Sequence, residues 1–172
     1  MTVADFAGLP DTARLYIFGS SRPLSPEETT RFLAAADEFL AGWQAHKADL
    51  VAAREWRHDR FLLVAADEEV TALSGCSIDS LVHRIKQFEG ELSMRFLEGG
   101  AVFFRRGDDI VRIGRSDFIK LVEKGEVGKG TMVFDNTITT LGALRAGRWE
   151  LPFERSWHAE LAPPPSTIST QG

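Results

Sequence analysis

Cysteine is almost missing. Cys76 stands alone in 172 residues, which excludes an internal disulfide framework and any zinc site made of cysteines only, and fits a reducing compartment. Histidine is nearly as scarce: His46, His58, His83 and His158 are scattered singly, with no HExxH or CxxC spacing. A metal site would have to be assembled entirely by the fold, so neither a metal nor a cofactor is expected. Positive charge is in deficit, with 20 Lys and Arg against 25 Asp and Glu and a formal net charge of −5. That is the wrong sign for displacing counterions from phosphates, and no nucleic-acid partner is expected. No apolar run is long enough to span a bilayer and no signal-peptide pattern follows Met1, so no membrane partner is expected and the cytoplasm is the expected address.

What remains is globular in composition, 44% hydrophobic and 26% charged, and long enough for one domain with a proper core. Residues 1–12 read as an N-terminal arm. Residues 163–172, beginning Pro163-Pro164-Pro165, read as a disordered tail with too little apolar surface to offset ordering entropy.

Between these ends, Arg14-Leu15-Tyr16-Ile17-Phe18, closed by Gly19-Ser20-Ser21, reads as a buried strand. Ser25-Pro26-Glu27-Glu28 has a cap, a proline at the first helical position and a glutamate three residues after the serine, a strong helix start. Phe32, Ala36, Phe39, Leu40 and Trp43 then share one face. Leu50 to Trp56 and Phe61 to Ala66 flank the polar break Arg57-His58-Asp59-Arg60 and predict a hairpin. Ile78, Leu81, Val82, Ile85, Phe88 and Leu92 predict a second amphipathic helix. A second hairpin is predicted at 101–104 and 110–113, then a short helix capped by Ser116, a strand at 131–134, and tryptophan-bearing segments near Trp149 and Trp157. The pattern βαββαβ predicts an α+β domain over 13–162, a ferredoxin-like plait (13–106) with a C-terminal α/β extension (107–162).

In such a plait the first and third strands are central neighbours, and here those two are the continuously apolar ones. Read as parallel neighbours, they would bring the loops that follow them to one end of the sheet. Ser20, Ser21, Arg22, Ser74, Gly75 and Ser77 would then line one pocket between two helix starts, suited to a small anionic molecule.

Cys76, at a predicted strand-to-helix loop, is the candidate nucleophile. The plainer reading makes it a small buried hydrophobe, with Ser77 or Asp79 capping the helix. A thiol enzyme would need His46 or His158 as base and Asp135 or Asn136 to orient that base, and nothing in the spacing selects among them. Gly125-Glu126-Val127-Gly128-Lys129-Gly130-Thr131 mimics the end of a phosphate loop, but Glu123 occupies the place of the first glycine and a helix precedes it where a strand is required. It reads as a glycine-rich connection.

Trp43-x-x-His46, Arg60-Phe61, Asp67-Glu68, Ser74 to Asp79, Val133-Phe134-Asp135-Asn136 and Ser156-Trp157-His158 together resemble an uncharacterised bacterial protein family of similar length, over about Trp43 to His158. The resemblance implies that Cys76, His46, His158 and Asn136 lie within a shared pattern, and it assigns no role to them. A transporter-ATPase label carried by some such proteins requires Walker residues that this sequence lacks. The functional expectation is a non-catalytic binding or accessory protein with an anionic-ligand pocket. The alternatives are a cysteine-dependent hydrolase or transferase using Cys76, and a homo-oligomeric interaction module.

Overall fold

The computed structural model describes residues 5–162, and they form two compact units, one within Met1–Glu98 and Asn136–Ala146, the other within Gly99–Asp135 and Gly147–Gly172. Helices combine with antiparallel sheets in an α+β architecture. The predicted disordered tail, 163–172, lies outside the described residues.

The first unit contains β1 (Arg14–Gly19), α1 (Pro26–Ala41), the short pair β2 (Gln44–Ala45) and β3 (Ala48–Asp49), β4 (Val51–Arg57), β5 (Phe61–Asp67) and α2 (Gly75–Leu92). Its main sheet has the order β1-β5-β4. The β4–β5 hairpin closes through His58, Asp59 and Arg60, with Arg60 N–H donating to Arg57 O and both His58 and Asp59 at positive φ (56° and 53°), a backbone that suits a tight turn between twisted strands. As the central strand, β5 is buried from Phe61 to Ala66, which accounts for its unbroken apolar sequence. The capping box at Ser25 is present, with Glu28 N–H donating to Ser25 Oγ and Ser25 N–H donating to Glu28 Oε2. Phe32, Ala36 and Leu40 of α1 and Leu81, Ile85 and Phe88 of α2 pack on the sheet face that carries Phe18, Leu62, Val64 and Ala66. The buried Trp43 joins the helices by donating from Nε1 to Ser77 O at 2.8 Å.

Three expectations need correction. First, β1 and β5 are neighbours but antiparallel, with Gly19 opposite Phe61 and Arg14 opposite Ala66. Crossover through α1 returns the chain in the direction of β1, the hairpin reverses it, and β5, lying between β1 and β4, opposes both. Second, the plait is not completed: β6 (Ala101–Arg106) pairs with β7 (Asp109–Gly114) in the second unit. The outer side of β1 meets a later segment instead, where Leu15 N–H donates to Thr139 O and Leu141 N–H to Ala13 O, beside α4 (Leu141–Arg145). Gly142 suits this close approach, since a Cβ would sit a tight 3.1 Å from Asp11 O and Asp11 Cβ. Third, residues 5–12 are packed as well as extended: Asp5 caps a 3-10 turn at Phe6–Gly8, Leu9 is buried, and Asp11 pairs with Arg145 at 2.6 Å.

The second unit holds the β6–β7 hairpin, α3 (Arg115–Glu123), β8 (Met132–Phe134) and β9 (Glu150–Pro152), with sheet order β7-β6-β8-β9. Gly107, at φ 63°, makes the hairpin turn. Gly114, not Ser116, is the N-cap of α3, and no side chain caps that end. Val102, Phe104, Phe118, Val122, Val127, Val133 and Phe153 form the core. Arg105 binds Glu150 across the sheet.

Candidate functional site

The sequence-predicted anionic pocket does not form. Antiparallel pairing sends the loop after β1 to the start of β5, where Ser20 N–H donates to Arg60 O, while α2 begins beyond the far end of β5. Arg22 reaches the C-terminus of α2, donating from Nη2 to Leu92 O at 2.7 Å, and its guanidinium grips both carboxylate oxygens of Glu28. Leu92 is sixteen residues beyond Cys76, roughly 24 Å along a helix axis. Ser74, Gly75 and Ser77 therefore lie at one end of α2 and Ser20, Ser21 and Arg22 at the other. The start of α2 is also self-satisfied: Ser74 Oγ accepts from Ser77 N–H, and Ser77 Oγ both accepts from Ser74 N–H and donates to Ser74 O. Ser74 is the N-cap, in place of Ser77 or Asp79.

Cys76 is in the first turn of α2 and exposed, neither in a loop nor buried as the plainer reading had it. Among the described residues no hydrogen-bond partner faces its sulfur. His46 sits exposed in the β2–β3 turn at φ 50°, and Asn136 belongs to the Asn136–Ala146 segment of the first unit. His158 belongs to the second unit, where it is already engaged.

Ser156 Oγ lies 2.6 Å from His158 Nδ1 and also accepts the His158 N–H, capping the 3-10 turn Trp157–Glu160. The imidazole stacks on Trp157 at 4.1 Å between ring centroids and meets the edge of Phe118 at 5.8 Å. Trp157 Nε1 donates to Asp135 Oδ1, and the Arg115 guanidinium lies over the same indole. Burial pushes the His158 pKa down to about 4; Asp135 opposes that shift and Arg115 adds to it. A serine beside a histidine suggests nucleophile and base. Here the two are 8% and 2% exposed and used up as a cap, so the arrangement braces the turn.

A cleft of about 530 Å³ lies in this same unit, lined by Val122, Gly125, Val127, Gly128, Phe153 and Ala159, with the exposed Lys129 and Glu154 at its edge. Its size is in the range of small-molecule sites, on the order of 300–1,000 Å³. The lip is rigid for local reasons. At the end of α3, Glu126 N–H donates to Leu121 O and Gly125 N–H to Val122 O, with Gly125 at φ 75°, a Schellman closure that needs glycine at the left-handed position. Thr131 N–H donates to Gly128 O, Gly128 N–H to Thr131 Oγ1, and Gly130 N–H to Glu154 Oε2 at 2.9 Å. That last bond is the first cause holding the Glu154 carboxyl below the usual carboxylate range; Lys129 and Arg155 contribute further.

Two hollows of the first unit compare poorly. One of about 410 Å³ lies at Ser21, Glu89, Ser93 and Arg95, where Ser21 Oγ accepts from the Arg95 backbone N–H and Glu89 Oε2 from Phe96 and Leu97 N–H. Another of about 240 Å³ separates Arg31 and Phe32 from Phe88, Glu91 and Leu92, below the usual ligand size. Among the described residues no three His, Cys, Asp or Glu side chains gather to hold a metal, and no helix is long and apolar enough to cross a membrane.

Sequence reasoning passed over the cleft because 125–131 reads as a connection. The available signal was its alternation of glycines with Val127, an apolar residue that a purely solvated loop does not need. Fold and site together describe an α+β protein of two units, one of which carries an apolar cleft of ligand size. No protein-family model, curated protein or solved structure matches this chain.

Proposed function

We propose that this chain is a non-catalytic binding protein whose ligand site is the cleft of the second unit. The observation that carries the proposal is the combination of an apolar, ligand-sized cavity with a glycine lip held by its own hydrogen bonds, since preformed apolar pockets with a few polar groups at the rim are the usual form of such sites. The non-catalytic part rests on the candidate nucleophiles and bases: Cys76 has no base beside it among the described residues, and Ser156 and His158 are sealed and engaged as a cap.

The test is a fragment screen on the full chain, read by amide chemical shifts. Binders should perturb Val122, Val127, Gly128 and Phe153 together. A Cβ at Gly128 meets nothing within 4 Å and its backbone is unstrained, so Gly128→Leu should project into the opening, weaken those binders about tenfold or more and leave stability within about 0.5 kcal/mol. Fragments that perturb only first-unit residues, or that bind Gly128→Leu as well as the parent, would refute the assignment.

A further inference from the structure

We propose that the ligand of this cleft is an amphipathic monocarboxylate, its apolar body against Val122, Val127, Phe153 and Ala159 and its carboxylate at the Lys129 ammonium; this rests on the cleft being the ligand site. Apart from the exposed Lys129 and Glu154 the lining presents no polar side chain, so the part of the ligand packed against it must be apolar, because a polar group buried there would be left without a partner.

Polarity is confined to the mouth, where the two charged groups are not equivalent. Glu154 already accepts the Gly130 N–H and feels Lys129 and Arg155 as stabilising cations. Lys129 is exposed and, among the described residues, donates no hydrogen bond, although its charge already acts on Glu154. The unused capacity at the mouth is therefore that of a donor cation, which calls for an anionic acceptor. Any anion at Lys129 also feels the Glu154 carboxylate, and a dianionic phosphate feels it more strongly than a single carboxylate, so the single carboxylate is the better match. A chain that is net negative overall gains discrimination by presenting its cation at the opening, where it orients the ligand head outward.

The experiment titrates octanoate, 1-octanol and monooctyl phosphate into the full-length chain at neutral pH, following the amides of Val127, Gly128 and Gly130, and repeats it with Lys129→Gln and Gly128→Leu. Octanoate should bind tighter than 1-octanol by a few-fold, about fivefold being what one solvated ion pair supplies. Lys129→Gln should erase that preference with 1-octanol binding unchanged, and Gly128→Leu should weaken both. Equal affinity for acid and alcohol, a preference that survives Lys129→Gln, or tighter binding of the phosphate would overturn the carboxylate assignment and leave the cleft as a binding site. If none of the three probes perturbs these amides, the assignment of the cleft falls as well.

Discussion

His158 shows how far a single side chain can depart from what its neighbours in sequence suggest. Beside a tryptophan and a serine it reads as a candidate base, yet burial holds it neutral, with a pKa of about 4. The unfolded chain binds that proton near 6.5, so between about pH 6.5 and 4 unfolding takes up a proton and stability falls as the solution is acidified, by about 2–3 kcal/mol across the window. Urea denaturation at pH 7, 5.5 and 4 should show this acid loss in the parent and a flatter limb in His158→Gln above the carboxylate range. Trp43 makes the opposite point. It was legible as an apolar position on the first helix face, but its Nε1 donates to Ser77 O and Ser80 Oγ, and Trp43→Phe should cost about 1 kcal/mol through loss of the hydrogen bond from its buried indole. Cys76, exposed and, among the described residues, without a hydrogen-bonded base, should be fully alkylated in the folded chain with no change in binding to the cleft.

At the level of elements, local sequence was a good guide to the first helix start and to the hairpin turns, and a poorer one to α2, where Ser74 caps in place of Ser77 or Asp79. The Ser25 capping box was read from four residues and is present, so Ser25→Ala should lower stability by about 1 kcal/mol, as measured by the denaturation midpoint. The Arg22 hydrogen bonds, followed by the Ser25 backbone, hold the Glu28 carboxyl down at about 2. The unfolded carboxyl titrates near 4.5, so the stability from this box is complete above that value and is lost as pH falls from there toward 2. Both hairpins were legible because His58-Asp59 and Gly107-Asp108 mark tight turns. The start of α3 was misplaced to Ser116 because a serine near a helix start reads as a cap. Gly114 is the cap because β7 ends there and the helix begins at once. Gly125 closes α3 at φ 75°, and Gly125→Ala should cost about 1 kcal/mol and loosen the lip of the cleft, detectable as faster amide exchange at Glu126 and Val127.

On the scale of the molecule, strand direction decided which site residues could meet. An apolar run such as Phe61 to Ala66 states that a strand is covered on both faces and is silent on whether its neighbour runs with or against it. Amphipathic periodicity, caps and turns act over a few residues, so the amino-acid sequence alone determined α1, α2 and the body of α3, the two hairpins and the α+β class, while the short α4 left no such trace. Tertiary structure alone decided that β5 opposes β1, that α2 parts Arg22 from Cys76, and that a glycine connection borders a cavity. Those outcomes depend on pairings between residues distant in sequence, whose free energies are set by how whole surfaces fit together and leave no local periodic trace.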